Sequence, residues 1–334
     1  MAQIAVLIAA YNAASTLPDC LRSLCSQTLN DVELLCVDDC STDDTFSLLQ
    51  HSAARDTRIK VFQTPVNSGQ AVARNLALQH VTAPYVCMVD ADDWLSPDAL
   101  QRALEVFCHH PRTDCVVFHL RRIYPDGHEE EWPMPAGLNS DGGLSGEEAF
   151  ELCLDGWKLH GLYVVRTSLH RQIPFDTATR LYSDDNSSRL HYLHSREVRA
   201  CQGIYFYRQH EKSMTTSFNI HRFDFMEANL SLLFALKKEN IRPKVMRRFE
   251  GNRWMTFIAC YRLYLSHADE LTPSEITSLR QRFTTILHTF RPSRLPLRYR
   301  WKPGYWLTLS LPLFDFQQHI HALFQRTKTL QGRS

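Results

Sequence analysis

The sequence lacks the features of a secreted or membrane-spanning chain. No Lys or Arg precedes the apolar run from Ile4 to Ala10, and this run has only seven residues, so it does not fit a secretory signal peptide. No apolar stretch reaches the roughly 18 residues that a membrane-spanning helix requires. We therefore expect a cytoplasmic protein.

Paired cysteines and a strong net charge are also missing. The ten cysteines contain no Cys-x-x-Cys pair, and several, such as Cys36 and Cys87, lie inside apolar runs. This distribution favours reduced thiols in a hydrophobic core over a disulfide framework. A formal net charge of +1 excludes a strongly acidic or basic body. Gly 12 and Pro 15 are too few for a low-complexity chain, so a folded protein is expected.

Alternating strands and helices are indicated over the first 110 or so residues. Apolar runs predict strands at 4–10, 32–37, 59–62 and 85–89, and helical periodicity predicts helices that include 70–80 and 97–107. Four such units predict an α/β fold, a mostly parallel sheet flanked by helices on both faces. Ligands of such sheets bind beyond the carboxyl ends of the strands, where this sequence places its unusual polar residues.

The character of the chain changes after residue 217. Further strands are predicted at 114–120 and 204–207, and the segment 124–143 is predicted as turns and loop. Beyond this point the apolar periodicity is helical. We predict a catalytic α/β domain over residues 1–217 and a helical C-terminal region over 218–334.

Acidic side chains follow two of the predicted strands. Asp38 and Asp39 end one strand and would repel each other unless one meets a donor, for which a nucleobase N–H is a candidate. Another strand runs into Asp90, Ala91 and Asp92, and in an extended segment the two acids share a face. Two carboxylates on one face suit Mg²⁺ or Mn²⁺. The alternative is that these acids cap the next helix.

Two more motifs leave alternatives open. Gly69 permits a tight entry into a helix that contains Arg74, and the free N–H groups of a helix start attract anions; Arg74 is otherwise a surface residue. Asp184 and Asp185 precede another predicted helix. Either a carboxylate here accepts a proton from a hydroxyl group as a general base, or both acids cap that helix.

In this order the motifs resemble those of the family-2 glycosyltransferases, which have the GT-A fold. The resemblance covers about residues 3–217 and includes Tyr-Asn at 11–12, Val-Asp-Asp-x-Ser-Thr-Asp-Asp-Thr at 37–45, Asn-x-Gly-x-x-x-Ala-Arg-Asn at 67–75 and Asp-x-Asp-Asp at 90–93. It implies an inverting enzyme that moves a sugar from a UDP-sugar, or a dTDP-sugar, to a hydroxyl of a glycan or lipid-linked acceptor. Cell-surface polysaccharide or lipopolysaccharide synthesis is the implied setting, with Mn²⁺ or Mg²⁺ as cofactor.

The resemblance also implies a role for individual residues. Asp39 would accept the uracil N3–H in a pocket shaped by Tyr11 and Asn12, Asp90 would approach the ribose, and Arg74 would help to hold the nucleotide or its diphosphate. The other implied nucleotide-sugar contacts are Ala9, Asn67, Gly69, Ala91 and Asp92. Asp92 would also bind the metal, with His210 nearby, and Asp185 would be the base beside Asp184. Trp157 and His160 would lie at the acceptor, although Trp157 is equally explained as a core residue.

The same resemblance divides the catalytic domain and marks two departures. Residues 1–113 would bind the nucleotide sugar, and residues 114–217 would bind the acceptor. The usual Pro-Thr before Tyr-Asn is Ala9-Ala10 here, and the glycine after the paired acids is Cys40. Neither departure removes a functional group, so they bear on loop shape.

Two other activities are weighed against transfer. A nucleotidyltransferase needs a Gly-rich, basic loop after its first strand, and residues 9–16 contain no Gly, Lys or Arg. A nucleotide-sugar-binding protein without transfer activity would not require all of these acids.

A basic and aromatic segment near the C-terminus suggests a location. No acid lies between Glu275 and Asp315, and that interval contains Arg280, Arg282, Arg291, Arg294, Arg298, Arg300, Lys302, Phe290, Tyr299, Trp301, Tyr305 and Trp306. Such a mixture suits an anionic membrane surface and peripheral attachment. The alternative is a solvated helix face with a packed extension. No recognition motif for nucleic acid accompanies the charge.

Overall fold

The computed structural model describes residues 1–139, 141–154, 156–210, 218–300 and 304–331, apart from the side chains of residues 183, 298, 300 and 322–331. Contacts within the chain divide it into two compact units, Met1–Asn219 and Ile220–Ser334. All ten cysteines are free, and six of them are at most 3% exposed in the core of the first unit. This agrees with the expectation of reduced core thiols.

The first unit is built on one mixed sheet with helices packed on it. Its strands are β1 (Ile4–Ala10), β2 (Val32–Asp38), β3 (Ile59–Gln63), β4 (Tyr85–Met88), β5 (Trp94–Leu95), β6 (Cys115–Ile123), β7 (Glu129–Glu131), β8 (Tyr163–Arg166) and β9 (Val198–Arg208). Their order is β3-β2-β1-β4-β8-β6-β9-β5, with β7 paired to β6. The pairs among β1 to β4 are parallel, which confirms the predicted α/β class.

Helices of the first unit follow the strands in the predicted alternation. They are α1 (Leu17–Cys25), α2 (Thr45–Ala53), α3 (Gln70–Gln79), α4 (Ala99–His109), α5 (Gly146–Leu154), α6 (Thr167–Gln172) and α7 (Ser183–His194). Both faces of the sheet are covered: Ile4, Val6 and Ile8 pack into one core, and Ala5 and Leu7 into the other. A strand buried on both faces must be apolar throughout, which is why β1 appears in the sequence as a continuous apolar run.

Part of the segment predicted as loop is a strand. Residues 124–143 include β7, whose sequence is Glu129-Glu130-Glu131. Arg121 of β6 contacts the carboxylates of Glu129 and Glu131 at 3.0 and 2.9 Å, and Arg122 contacts Glu130 at 3.3 Å. Opposite charges across two strands stabilise a pairing that three acids in sequence do not predict.

The second unit is helical in the residues that the structure describes. Its helices are α8 (Asp224–Leu236), α9 (Pro243–Ser266), α10 (Pro273–Leu287), α11 (Leu297–Arg300) and α12 (Leu311–Gln331). An aromatic cluster forms its core and includes Trp254, Phe257, Tyr261, Phe283, Phe290 and Phe314. Among the described residues no helix combines the length and the apolar character that crossing a bilayer requires.

Candidate active site

A cleft of about 1420 Å³ opens at the carboxyl ends of β1, β2 and β4. Its walls come from the segments that follow these strands, from β6 and β9, and from the start of α7. Parallel strands bring segments that are distant in sequence to this edge. Every residue that the sequence analysis singles out as a site residue lines the cleft, with the exception of Arg74: Ala9, Tyr11, Asn12, Asp39, Asn67, Gly69, Asp90, Ala91, Asp92, Trp157, His160, Asp184, Asp185 and His210.

Asp39 lies at the end of the cleft nearest β2 and meets three donors. Its carboxylate accepts hydrogen bonds from the Thr64 hydroxyl at 2.7 Å and from the backbone N–H groups of Ser68 and Gly69 at 2.9 and 2.7 Å. The anion held by the start of α3 is therefore this carboxylate. Gly69 has a φ of 90°, a left-handed conformation that glycine adopts without strain. Since an ionised carboxylate can accept about four hydrogen bonds, one acceptor position remains.

Tyr11 and Asn12 border the same end of the cleft. The Asn12 side-chain oxygen accepts a hydrogen bond from the Thr42 backbone N–H at 2.8 Å, which joins the loop after β1 to the loop after β2. Tyr11 is 48% exposed, so its ring is accessible in the cleft. Cys40 has a φ of 59°, in the left-handed region, at the position where the resemblance leads us to expect glycine.

Asp90, Asp92 and Asp93 lie in a turn. β4 ends at Met88, and the Asp93 backbone N–H donates to the Asp90 carbonyl at 3.0 Å. The segment is therefore not extended, and the expectation that Asp90 and Asp92 share a face of an extended segment is wrong. Carboxylate oxygens of the three acids nevertheless lie within 4.8 Å of one another. Helix α4 begins only at Ala99, so these acids do not cap it.

The charges in this turn fit a hard cation. His210 Nε2 lies 2.9 Å from an Asp92 carboxylate oxygen. Burial and the neighbouring Asp90 raise the pKa of Asp92, and His210 acts in the opposite direction. Burial also raises the pKa of Asp93 well above its usual range, followed by the effects of Asp90 and Asp92. A divalent cation stabilises the ionised form of such closely spaced carboxylates.

Tyr205 and Arg208 of β9 hold the acidic turn, and the sequence analysis assigns them no role. The Tyr205 hydroxyl donates to Asp93 at 2.9 Å and accepts from the Asp90 backbone N–H at 3.1 Å. Arg208 donates through its backbone N–H to Asp93 at 2.8 Å and through Nε to the Asp92 carbonyl at 2.9 Å. These partners lie about 115 positions apart in sequence, so no local pattern predicts the contact.

Arg74 differs from both sequence-based expectations. Its side chain is only 1% exposed, so it is not a surface residue, and it does not line the cleft. Its guanidinium forms an ion pair with Asp90 and lies 3.6 Å from an Asp184 carboxylate oxygen. This burial does not support direct contact with a diphosphate. Arg74 instead contacts the carboxylates of Asp90 and Asp184 from the buried side of the cleft, so we regard it as a positioning residue.

Replacement of Arg74 tests this role. We expect Arg74→Met to lower the free energy of unfolding by about 1–3 kcal/mol, because it removes a buried cation and its ion pairs with the partly exposed carboxylates of Asp90 and Asp184. Arg102→Met is the matched control, since the Arg102 side chain is 50% exposed and pairs with Asp98 on the surface; it should leave the free energy of unfolding nearly unchanged. Urea denaturation measures both, and equal effects would contradict the proposed role.

Asp184 and Asp185 lie in the first turn of α7 but in different surroundings. Tyr182 is the N-cap residue and makes no capping bond with its side chain, so neither acid is the N-cap. Asp184 lies beside Arg74, as described above. Burial, together with the charge of Asp184, raises the pKa of Asp185 to about 7, against the effect of Arg189. A carboxylate with this pKa is suited to accept a proton near neutral pH.

Trp157 and His160 form part of the cleft wall. Trp157 packs against the buried apolar residues beneath it, and the centre of its ring lies 4.5 Å from the guanidinium carbon of Arg189. The residue also lines the cleft. His160 is 6% exposed, and burial lowers its pKa to about 4, so its imidazole is neutral at physiological pH. Trp157 therefore serves core packing and faces the cleft at once.

Four further cleft residues are not singled out by the sequence. Arg180 lines the cleft and donates a hydrogen bond to the Asn67 side chain. Arg122 lies on β6, Tyr124 on the connection to β7 and Trp132 directly after β7, and the Arg122 guanidinium lies 4.2 Å from the centre of the Trp132 ring. Tyr124 and Trp132 fall in the segment 124–143 that is predicted as loop, so the sequence gives no basis for placing their side chains.

Comparisons with known proteins identify the family and the fold. Residues 5–173, just over half of the chain, match the family model for glycosyl transferase family 2. The chain is 32% identical to a chondroitin synthase of Pasteurella multocida over 124 residues, which are 37% of this chain and 13% of that protein. It is 40% identical to the putative teichuronic acid biosynthesis glycosyltransferase TuaG of Bacillus subtilis over 102 residues, 30% of this chain and 40% of that protein.

Similarity of structure extends over more of the chain. The crystal structure of S. aureus TarS 1-349 in complex with UDP has a TM-score of 0.65 and 16% sequence identity, and the alignment covers 95% of this chain and 87% of that chain. At this identity the likeness shows the fold. The chain spans less than half the length of both curated relatives. The match to the family model shows that the chain belongs to glycosyl transferase family 2.

Proposed function

We propose that the enzyme transfers a sugar from a UDP-sugar to an acceptor hydroxyl with inversion at the anomeric carbon. The observation that supports this most is the convergence of Asp39, Asp92 and Asp185 on one cleft, although they come from three widely separated stretches of chain. Asp39 provides an acceptor for the nucleobase, Asp92 a ligand for a cation, and Asp185 a carboxylate that accepts a proton. Residues 1–113 supply the donor part of this site, and residues 114–217 the acceptor part.

The donor base is assigned from Asp39. Its one remaining acceptor position suits an N–H donor, and uracil presents such a donor at N3. Tyr11 and Asn12 shape the pocket, and the segments with Ala9, Asn67 and Gly69 complete it. S. aureus TarS, which has a similar fold, binds UDP. Thymine has the same N3–H, so a dTDP-sugar fits the same contact.

Asp92 and His210 are the proposed holders of Mn²⁺ or Mg²⁺. Both residues line the cleft and are close to half exposed there, whereas Asp93 is fully buried behind them. When bound, the ion neutralises negative charge on the departing diphosphate. Asp90 lies beside Asp92 and Ala91 in the turn, where we assign it to the ribose, and its ion pair with Arg74 fixes its orientation.

Proton removal is assigned to Asp185. The carboxylate accepts the proton of the acceptor hydroxyl as the oxygen forms a bond to the anomeric carbon. The bond between that carbon and the diphosphate oxygen breaks on the opposite face, and its electron pair leaves with the nucleotide. A single displacement of this kind inverts the configuration. Asp184, held near Arg74, positions the turn that contains the base.

The acceptor is assigned to the end of the cleft formed by Trp157 and His160. An aromatic face packs well against the apolar face of a sugar ring, and the neutral imidazole of His160 can exchange hydrogen bonds with a hydroxyl. The relatives include TuaG of teichuronic acid biosynthesis. We propose a glycan or lipid-linked acceptor in cell-surface polysaccharide or lipopolysaccharide synthesis. A cytoplasmic enzyme with peripheral contact to an anionic membrane fits this acceptor.

A screen of nucleotide sugars tests the donor assignment. We expect release of nucleotide from UDP-sugars, or from dTDP-sugars, in the presence of Mn²⁺ or Mg²⁺, and loss of this release with a chelator. Because cytosine has an acceptor instead of a donor at N3, CDP should bind at least about tenfold more weakly than UDP. Calorimetric titration of both nucleotides measures the ratio. Preference for CDP, or release that is unaffected by the chelator, would contradict the proposal.

A further inference from the structure

The near-zero net charge of the chain hides two opposite charges. Residues 220–334 contain 19 Lys and Arg against 8 Asp and Glu, which gives +11. Residues 1–219 contain 18 Lys and Arg against 28 Asp and Glu, which gives −10. A helical unit with this excess of positive charge attracts a polyanionic partner.

Helix α12 is apolar on two opposite sides. Leu311 and Phe314 are buried, and Phe314 packs against the aromatic core. Leu313, Phe316 and Ile320 are 59%, 66% and 38% exposed, and their spacing of three and four residues places them on one face. A helix that covers a soluble core is normally polar on its outer face. We call these three residues, with the exposed Trp306 and Leu309 that precede them, the outer stripe.

Few acidic residues that could repel an anionic partner lie close in sequence to the outer stripe. The interval between Glu275 and Asp315 contains no acid, and Asp315 itself accepts a hydrogen bond from the Tyr261 hydroxyl at 2.8 Å. Some of the cations in this interval are already engaged. Arg282 is bonded to Glu227 at 2.6 Å and to Asp224 at 3.1 Å, so it is not counted toward a docking surface. Arg291 is exposed, whereas Trp301 and Lys302 lie outside the described residues.

We infer that the outer stripe docks on an anionic lipid bilayer, with the positive charge of the helical unit drawn to the headgroups and the apolar side chains inserted between them. The inference rests on the peripheral location proposed above and identifies its surface. Exposed apolar residues on a unit with a large excess of positive charge match both layers of a bilayer interface. A soluble polyanion would satisfy the charge but not the apolar stripe. A second copy of the same unit would bring like charges together.

Vesicle co-sedimentation of the full chain tests the inference. Binding should be strong to phosphatidylcholine vesicles that contain phosphatidylglycerol, weak to phosphatidylcholine alone, and reduced by salt. We expect the double substitution Leu313→Ser and Phe316→Ser to lower the partition coefficient by at least about tenfold, since both side chains lose apolar area that the bilayer would cover. Phe234→Ser is the matched control, because Phe234 is 52% exposed on α8 and should leave binding unchanged.

Specific outcomes would overturn the inference. Equal binding to neutral and anionic vesicles, or wild-type binding by the double variant, would exclude the outer stripe as the docking surface. Competition by soluble polyphosphate that is the same for the wild type and the double variant would point to a soluble polyanion. A dimer in solution that the double substitution dissociates would point to a second copy. Nucleotide release by the double variant is measured in parallel, so a failure of the proposed transfer reaction is recognised independently of vesicle binding.

Discussion

The substitution Asp185→Asn is expected to lower the rate of transfer by about 10²–10⁴-fold, the contribution typical of a general base. Asparagine occupies nearly the same volume as aspartate but does not accept a proton from the attacking hydroxyl. Donor binding should remain, because the contacts assigned to the nucleotide are made by Asp39 and by the turn at Asp90 and Asp92. Turnover and the Kd for UDP, measured on the same preparation, separate the two effects.

The same substitution should stabilise the fold at about pH 8. Because the pKa of Asp185 is about 7 in the folded enzyme and near 4 in an unfolded chain, the folded state binds the proton more tightly. The associated stability is fully present below about pH 4 and is lost as the pH rises through about 7. Asparagine resembles the protonated form, so we expect the variant to gain on the order of 1–3 kcal/mol at the higher pH and nothing at about pH 4.

The pH dependence of turnover follows from this pKa. With Asp185 as the base, kcat/KM should fall about tenfold for each pH unit below about 7, because only the ionised carboxylate accepts the proton. Asp184→Asn is the matched control, since Asp184 lies beside Arg74 and is assigned a positioning role. We expect that variant to retain the acid limb of the profile with reduced activity. If the acid limb disappears in Asp184→Asn and persists in Asp185→Asn, the two assignments must be exchanged.

The sequence predicts well where the carboxyl ends of strands β1 to β4 lie, because local hydrophobic pattern is enough to place each of these strands. Strands β1, β2 and β4 are mostly buried apolar runs, whereas β3 is partly exposed, and the predicted bounds of all four agree with the structure to within one residue. Parallel pairing then brings the ends together without any further information. This reasoning places Asp39 and the acids after β4 in one cleft.

What the sequence could not predict depends on contacts between distant segments. The burial of Arg74 follows from its position beneath Asp90 and Asp184, and an arginine within a helix is more often at the surface. Strand β9 begins at Val198, whereas the sequence predicts a strand only from residue 204. The prediction starts too late because Arg199, Gln202 and Gly203 interrupt the apolar pattern of the strand. The contacts of Arg208 with the acidic turn join segments about 115 positions apart, so no local pattern predicts them.

The substitution Asp92→Ala is expected to lower metal-dependent transfer by about a thousandfold or more, because several kcal/mol of transition-state stabilisation by a divalent ion would be lost with its ligand. The fold should persist, since Asp92 is about 40% exposed and its contact with β9 is made by its backbone carbonyl. Titration with Mn²⁺ should show a raised Kd for the ion in Asp92→Ala, and added Mn²⁺ should restore only part of the activity.

Asp93→Asn is the control that distinguishes a metal ligand from a structural acid in the same turn. Asp93 is fully buried and accepts hydrogen bonds from Tyr205 and Arg208, so an amide there places N–H groups opposite existing donors. We expect this variant to lose stability in urea while its affinity for Mn²⁺ changes little. If Asp93→Asn abolished Mn²⁺ binding while Asp92→Ala retained it, the cation would belong to the buried side of the turn, and the assignment of Asp92 and His210 would be wrong.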